Sequence, residues 1–452
     1  MSENASPTSQ LINHVLGIQA SSLPENVLAQ AKVVFADEVG ILLAASTERT
    51  VNTAIKAMPL RGNGGCTVVG HGKGATPEQA ALLNGCGGHD IELDDSHSPA
   101  RNHPASVQIP TALAAAEYMG GSTGGEMLAG IVAGYDAQVR MSKAMGSQDQ
   151  FERGFHPTSV CGTVGSAVCA GRIMGLTEDQ MHQAITLATS QSCGTLAWHD
   201  DSTHMVKSFQ PAVAARNGIT AALFAQQGFQ GIRDVFTNRY SPLKSFGRPA
   251  PDFNQLTDAL GVRYDICETS IKRHACGGQT HSALDALLTI MADNGLVASD
   301  IDAIDAQLAH DAIPIIDNNP LLIANIQFVL ALGAHVGLIK REHFSPEWTE
   351  NADIWRLKER VSVRDNDELS SRFPAMKGAI VTVEAKGETF VHTYPTPPGS
   401  PSRPLSIGEV KDKFTGLATA VLREETADEL WSLLEGFEKI SDTSRLFEIL
   451  AG

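Results

Sequence analysis

The chain has 452 residues, of which 42% are hydrophobic and 6% aromatic, and its formal net charge is -17 at pH 7. A single hydrophobic core rarely grows to this length, so the first expectation is two domains. The negative charge argues against nucleic acid or an anionic membrane surface as a partner, because both would repel the protein. An anionic small molecule would need a locally positive pocket.

Cysteine usage and the N-terminal residues predict a cytoplasmic protein. The seven cysteines are widely spaced and include no C-x-x-C pair, which is untypical of a disulfide framework or a zinc knuckle. The opening stretch, MSENASPTSQ, lacks the apolar core of a signal sequence. No run approaches the roughly 20 apolar residues that a membrane span needs. We therefore expect a soluble protein of the reducing cytoplasm.

Helical periodicity dominates the chain from about residue 8 to residue 265. The first long helix is predicted in LPENVLAQAKVVFADEVGILLAA, which opens with a proline near its first turn. PTALAAAEYM, TSVCGTVGSAVCAGRIMGL, EDQMHQAITLATSQSCG and QPAVAARNGITAALFAQQGF continue the pattern. Small residues dominate the second and fourth of these four stretches. Because small side chains let helix backbones approach closely, both are predicted to be central helices.

Strand patterns enter the chain near residue 268. After the predicted helix SALDALLTIMADNGL, the stretches IDAIDAQLAH and GAIVTVEAKGETFVHTYP alternate as strands do, with a hairpin turn in EAKGET. PTPPGSPSRPLS is then a loop and a boundary, and two amphipathic helices follow it. We predict a mainly α protein, with a large all-helical domain formed by both chain ends (residues 1–267 and 399–452). A smaller α+β lid domain is inserted at residues 268–398.

The most unusual stretch is GGHDIELDDSHSPARNHPAS, residues 87–106. It collects four carboxylates and three imidazoles, at Asp90, Glu92, Asp94 and Asp95 and at His89, His97 and His103. Like charges this close repel and raise one another's pKa, so an isolated cluster of this kind is unfavourable. On its own, such a cluster is commonly a solvated loop.

Three further stretches place basic or polar residues next to tight turns and predicted helix starts. GFHPTSVCG has His156 before a proline, HMVKSFQPAVAARNG has Lys207, and SIKRHACGGQTHSALDA has Lys272. The exposed N–H groups of a helix start attract anions. A single histidine or lysine in such a place is commonly a capping or surface residue. Together, the four stretches indicate one site that binds an anion.

At these same four stretches the chain resembles the MmgE/PrpD family, which includes 2-methylcitrate dehydratase, cis-aconitate decarboxylase and iminodisuccinate epimerase. HDIELDDSHSPARNHPAS is similar to the family's H-x-x-D-F-D-D-T run followed by H-P-S, and GFHPT matches the family motif itself. KRHACGGQTHSALDA, residues 272–286, matches K-x-x-x-C-x-x-x-T-H-x-x-x-D-A. The resemblance implies the same two domains, an active site between them, a small anionic carboxylate as substrate, usually a homodimer, and no metal or organic cofactor.

The resemblance also implies a set of site residues. Those with a catalytic role would be His103, His156, Lys207, Lys272 and Asp94. Substrate-binding or supporting residues would be Glu92, Asp95, Ser96, Thr158, Ser159, Thr280 and His281.

Four positions differ from the family pattern. Ser96 replaces a threonine and keeps its hydroxyl, while Glu92 replaces an aspartate and reaches one methylene further. Gly277 stands where decarboxylase relatives carry a histidine, and Phe328 stands where a tyrosine is common. The last two differences predict a site that lacks one imidazole and one phenol.

Members of this family share one chemical problem, the removal of a proton or of CO₂ from a carbon next to a carboxylate. Lys207 and Lys272 would neutralise the developing charge, and His103 or His156 would act as base or acid, because an imidazole titrates near neutral pH. Asp94 or Asp95 would orient an imidazole or a lysine. The first hypothesis is therefore a cofactor-independent lyase of the 2-methylcitrate dehydratase or cis-aconitate decarboxylase type.

Three alternatives stay open at this point. An epimerase of an iminodisuccinate-like acid needs a base on each face of one carbon and no leaving group. A metal-dependent hydrolase would use carboxylates and an imidazole as ligands, namely Asp90, Glu92, Asp94, Asp95 and His97. A relative that binds an acid without catalysis is the third.

Overall fold

The computed structural model describes residues 5–201 and 203–452, and α-helices dominate both ends of the chain. The helices before the inserted segment (residues 268–398) are α1 Pro7–Gly17, α2 Glu25–Ala45, α3 Arg49–Ala57, α4 Pro77–Gly88, α5 Ala105–Tyr118, α6 Gly124–Met145, α7 Ser147–Glu152, α8 Pro157–Ile173, α9 Glu178–Thr189, α10 Met205–Gln226, α11 Pro242–Phe246 and α12 Asn254–Thr257. Those within the inserted segment are α13 His281–Asn294, α14 Ile313–Ile316, α15 Ile326–Val336, α16 Pro346–Thr349, α17 Ala352–Lys358 and α18 Asp367–Arg372. Those after it are α19 Ile407–Ala418, α20 Glu424–Glu435 and α21 Ser444–Ala451. The mainly α prediction is confirmed.

Small residues bring the central helices together, as their composition predicts. A Cβ added to Gly218 of α10 would stand 2.3 Å from Cβ of Ser166 in α8. A Cβ added to Gly85 of α4 would stand 2.7 Å from Cα of Ala212 in α10. Contacts this close need glycine. As a result, the end of α4, the start of α8 and the start of α10 are held in one region of the molecule.

The inserted segment contains a mixed sheet with strand order β4-β3-β5-β6. Its strands are β3 Ile301–Leu308, β4 Val361–Asp365, β5 Ala379–Ala385 and β6 Glu388–Tyr394. β3 runs parallel to β4 and antiparallel to β5, and β5 and β6 form the predicted hairpin. Both predicted strand stretches are confirmed, whereas β4 was not predicted. The domain boundaries at residues 267 and 398 stay a prediction.

The prediction of an entirely helical domain is wrong at one place. Two short strands, β1 Cys66–Val68 and β2 Gly72–Ala75, pair antiparallel between α3 and α4. Strands of three and four residues are too short to show alternation in the sequence. Within the described residues, no helix is both long and apolar enough to cross a bilayer.

The buried apolar side chains form two large clusters. One contains residues from positions 11–271 and 410–450, and the other is drawn mainly from positions 275–385. Ile91 and Leu93 of the acidic stretch pack in the second cluster. The alternate residues, Glu92 and Asp94, are buried too and contact Lys272. The acidic stretch therefore lies where the two cores meet, anchored by its apolar residues.

Candidate active site

A cleft of about 160 Å³ lies where the ends of the central helices meet the inserted segment. Its wall includes residues from all four predicted stretches, which are Glu92, Ser96, His103, His156, Lys207 and Gly277. The inserted segment adds Phe373 and Lys377 on the other side. Side chains that are far apart in the sequence therefore share one cavity.

Glu92 connects the two predicted lysines. Its backbone is left-handed, with φ +53°, and its side chain is buried. Oε2 accepts a hydrogen bond from Nζ of Lys272 at 2.9 Å, and Oε1 contacts Nζ of Lys207 and, at 2.7 Å, Nε2 of His204. Burial and then the nearby charge of Lys272 lower the pKa of Lys207 well below its usual range, and the contact with Glu92 opposes this.

Asp94 joins the second lysine to the imidazoles. Its Oδ1 lies 3.2 Å from Nζ of Lys272, while Oδ2 lies 2.6 Å from Nδ1 of His89 and 3.1 Å from Nδ1 of His103. Burial raises the pKa of Asp94, but His89 and Lys272 outweigh it and hold the pKa well below its usual range. Asp94 is thus an ionised carboxylate that contacts both imidazoles.

His103 has a fixed tautomer. Its Nδ1 lies between two acceptors, Oδ2 of Asp94 at 3.1 Å and the main-chain oxygen of Asp95 at 2.6 Å. A nitrogen between two acceptors carries the proton. In the neutral ring the lone pair is therefore on Nε2, which has no hydrogen-bond partner among the described residues.

His156 has the same tautomer for a different reason. Its Nδ1 lies 2.8 Å from Oε1 of Gln210, whose Nε2 donates to the main-chain oxygen of Thr195 at 2.8 Å. Because the Thr195 oxygen can only accept, the amide must present its oxygen to His156, and Nδ1 donates. Burial lowers the pKa of His156 to about 3, against the opposing effect of the Gln210 hydrogen bond. The resting imidazole is neutral, with its lone pair on Nε2.

A third imidazole, His89, lies between the others. Its ring centroid is 4.7 Å from that of His103, 6.2 Å from that of His156 and 6.1 Å from that of His204. The side chain is fully buried, and its Nε2 has no hydrogen-bond partner among the described residues. Burial lowers the pKa of His89 well below its usual range. His89 is therefore a neutral ring behind the cleft, not a wall residue.

Asp95 does not orient a catalytic side chain. Its Oδ1 accepts from the main-chain N–H of Ala105 at 3.0 Å, and its Oδ2 accepts from the hydroxyl of Tyr135 at 2.7 Å. Burial raises the pKa of Asp95 to about 7, although the Tyr135 hydrogen bond opposes this. Only the main-chain oxygen of Asp95 contacts His103. Of the two predicted orienting carboxylates, Asp94 has that position and the Asp95 side chain does not.

The predicted supporting residues hold the walls of the cleft. Thr158 accepts from the main-chain N–H of His103 at 3.1 Å, and Ser159 donates to the main-chain oxygen of Gln210 at 3.0 Å. Ser96 lines the cleft, and its main chain pairs with Ser270.

Thr280 and His281 are buried and lie behind the loop that contains Gly277. The Thr280 hydroxyl donates to the Gly277 oxygen at 2.8 Å, and Nε2 of His281 lies 3.2 Å from the Cys276 oxygen. Both therefore position the loop and do not line the cleft.

Two of the differences from the family pattern have different consequences. Gly277 lines the cleft, so the missing imidazole is a real change in its wall. Phe328 is fully buried in the core of the inserted segment, with its ring centroid 5.8 Å from that of Trp355. Because Phe328 does not line the cleft, the expectation that its phenol is missing from the site is wrong.

Four residues near the catalytic groups were not predicted. They are His89, His204, Gln210 and Lys377. His89 begins the acidic stretch, His204 precedes Lys207 by three residues, and Gln210 follows it by three. A closer reading of those two stretches could have found them. Lys377 belongs to no motif and carries no such signal.

The metal site suggested by Asp90, Glu92, Asp94, Asp95 and His97 is wrong. Asp90 accepts from Thr50 at 2.6 Å, and Nε2 of His97 lies 3.4 Å from Oε2 of Glu268. Among the described residues, ligand atoms within 4.8 Å of one another form two sets, which are His89, Asp94 and His103, and His97, Asp265 and Glu268. Neither set contains three of the five. The hydrolase alternative therefore loses the ligands on which it rested.

Comparison with known proteins places this cleft in a family. A model of the MmgE/PrpD N-terminal domain matches residues 9–252, and a model of the MmgE/PrpD C-terminal domain matches residues 274–439. The cleft described above thus belongs to a two-part enzyme architecture. The chain is a member of the MmgE/PrpD family.

Several relatives match the chain over almost its full length. The cis-aconitate decarboxylase-like protein oryM of Aspergillus oryzae is 28% identical, with 98% of this chain and 97% of that protein covered. Cis-aconitate decarboxylase of Aspergillus terreus is 26% identical, with 98% and 95% covered. Cis-aconitate decarboxylase of Homo sapiens is 23% identical, with 98% and 94% covered. The family and these relatives support an enzyme of the lyase type.

Proposed function

We propose that the protein is a lyase that acts on a small tricarboxylic acid of the cis-aconitate type, by proton transfer beside a carboxylate and without a metal or organic cofactor. One observation carries the proposal. Two imidazoles, His103 and His156, line the same cleft as Lys207, and both have Nδ1 held by an acceptor. Each neutral ring therefore offers a basic Nε2 to a molecule in the cleft.

The surroundings of the two imidazoles suggest different roles. Oδ2 of Asp94 lies 3.1 Å from Nδ1 of His103, so this ring has a carboxylate partner. His156 contacts a neutral amide instead, and burial lowers its pKa to about 3. His103 is therefore the proposed acid and His156 the proposed base.

An elimination would use both imidazoles, and a decarboxylation would use His103 as the proton donor. In a decarboxylation, the bond from the chain carbon to the carboxylate breaks, its electron pair stays on the chain carbon, and His103 supplies a proton there. In an elimination, His156 takes a proton from the carbon beside a carboxylate, and His103 protonates the leaving hydroxyl. Lys207 would stabilise the charge that develops on the neighbouring carboxylate.

The reaction can be tested by incubating the protein with cis-aconitate and other di- and tricarboxylic acids in deuterated buffer, followed by proton NMR. We expect cis-aconitate to lose CO₂ and its product to carry deuterium at the newly protonated carbon. Addition of EDTA should leave the rate unchanged. If the folded protein neither consumes nor exchanges any of these acids, the proposal is wrong.

An epimerase is the second candidate. Gly277 leaves the inserted side of the cleft without an imidazole, yet two imidazoles with a basic Nε2 remain. An epimerase needs two bases and no leaving group. In the same NMR experiment, exchange of deuterium into a stereocentre of unreacted acid, with no elimination or decarboxylation product, would favour the epimerase over the lyase.

Replacing Gln210 by glutamate should change the pH dependence of the reaction. A carboxylate placed 2.8 Å from Nδ1 would favour the protonated His156 ring and raise its pKa by roughly 1–3 pH units. The base would then be lost as the pH falls through this higher pKa, so the acidic limb of the kcat/KM profile should move to higher pH. Gln210→Met, which removes the acceptor without adding charge, should lower kcat without this displacement. An unchanged profile in Gln210→Glu would show that His156 is not the base.

A further inference from the structure

Lys207 and Lys272, the two lysines named from the sequence, already form ion pairs with carboxylates. Glu92 contacts both Lys207 and Lys272, and Asp94 contacts Lys272 as well. Two ammonium groups are therefore matched by two carboxylates before any substrate enters. A substrate with two or three carboxylates needs further positive charge, because a buried anion without a partner is costly.

Two other cations line the cleft without a carboxylate partner, one on each side. Arg101 lies in the helical part, where its guanidinium donates to Gln148 and its centre lies 4.9 Å from the Phe151 ring and 5.6 Å from the Phe373 ring. Its Nε is buried and has no hydrogen-bond partner among the described residues. Among the described residues Arg101 forms no ion pair, and Asp311 and Glu152 act on its charge only from a longer distance.

Lys377 lies opposite, in the inserted segment. Among the described residues its ammonium group makes no hydrogen bond and no ion pair. A Cβ added to Gly278 would stand 3.9 Å from both Nζ of Lys377 and Cε of Lys272, so the two lysines flank this glycine. Burial and the charges of Lys272 and Arg101 lower the pKa of Lys377 to about 8. An anion among these groups would relieve that repulsion.

Within the described part of the chain, two carboxylates line the cleft, those of Glu92 and Asp201. Asp201 does not pair with Arg101 or Lys377. Asp201 is half-buried and accepts hydrogen bonds from the main-chain N–H groups of Thr203 and Val206 and from the Thr203 hydroxyl. Its lone pairs are used by the turn that leads into α10.

We propose that Arg101 and Lys377 form a clamp that binds a substrate carboxylate remote from the reacting carbon. The clamp rests on the proposed function and adds specificity to it, since it selects acids whose second or third carboxylate reaches across the cleft. Arg101 belongs to the helical part and Lys377 to the inserted segment. A bound acid would therefore join the two sides of the cleft.

The clamp can be tested by titration calorimetry with tricarballylate (propane-1,2,3-tricarboxylate), which cannot be decarboxylated by this route and so reports binding without turnover. Lys377→Met should weaken tricarballylate binding about 10- to 100-fold, the range for loss of one charged hydrogen bond. Lys377→Arg should retain most of the affinity. Lys340→Met removes an exposed lysine of the same segment outside the cleft and should bind as the wild type does.

Two further measurements separate this role from a structural one. Lys377→Met should melt at or above the wild-type temperature, because it removes an unpaired and half-buried charge. In steady-state kinetics with the acid that NMR identifies as substrate, Lys377→Met should raise KM by the same factor by which it weakens tricarballylate binding. The same variant should change kcat by less than about threefold. Wild-type tricarballylate affinity in Lys377→Met, or no binding by the wild type, would overturn the clamp. Loss of the clamp would leave the lyase proposal intact, since that proposal depends on turnover by His103 and His156.

Discussion

Replacing His156 by alanine should lower proton removal from the true substrate, in elimination or in exchange, at least ~100-fold, the usual scale for a general base. The ring is buried and lines the cleft, its Nδ1 is held by Gln210, and its Nε2 is the proposed base. Lys207→Ala should cause a loss of similar size, because Lys207 lines the cleft together with His103 and His156. Steady-state kinetics with the acid identified by NMR measures both.

His335→Ala is the matched control for these variants, because it removes an exposed histidine outside the cleft. Its kcat/KM should equal that of the wild type. All variants should show the wild-type circular dichroism spectrum, so that a loss of activity is not a loss of fold. Full activity in both His156→Ala and Lys207→Ala would contradict the assigned roles.

Replacing Lys272 by methionine should destabilise the protein by about 3–5 kcal/mol, because it leaves buried carboxylates without a cation. The Lys272 side chain is only 3% exposed and contacts both Glu92 and Asp94. Activity should also fall at least ~100-fold, since Asp94 loses the charge that keeps it ionised. Urea unfolding followed by circular dichroism measures the change in the free energy of unfolding.

A second substitution distinguishes charge from packing in this variant. Adding Glu92→Gln to Lys272→Met removes one of the unpaired carboxylates and should recover part of the lost stability, but not the activity. Lys411→Met, at an exposed position of α19, should change stability by no more than about 0.5 kcal/mol. A Lys272→Met protein as stable as the Lys411→Met protein would show that the buried ion pairs contribute nothing.

Much of the fold could be predicted because its elements are long and periodic. Helices α2 and α10 are long stretches rich in alanine and other helix-forming residues, and β5 of the β5–β6 hairpin alternates buried residues with less buried ones before a short turn. β4 was missed because its pairing partner, β3, is separated from it by more than fifty residues. Parallel pairing of that kind leaves no local signal in the sequence.

The site residues could be predicted where the residue type alone indicates the chemistry. Glu92, Asp94, Lys207 and Lys272 were all named as site residues, and the structure brings the two carboxylates and the two lysines together. The Asp95 side chain, one residue further on, accepts a hydrogen bond from Tyr135 instead, and the residue type alone does not indicate this. Lys377 reaches the cleft because it packs near the loop that contains Gly278. No sequence motif indicates this position.

A crystal structure of the protein with tricarballylate bound would test most directly whether these side chains form one site for one acid. We predict that the ligand occupies the cleft, with one carboxylate on Arg101 and Lys377, another beside Lys207, and its carbon chain against Nε2 of His156. A ligand bound elsewhere on the protein, with this cleft empty at saturating concentration, would contradict the claim that these side chains act together on one acid.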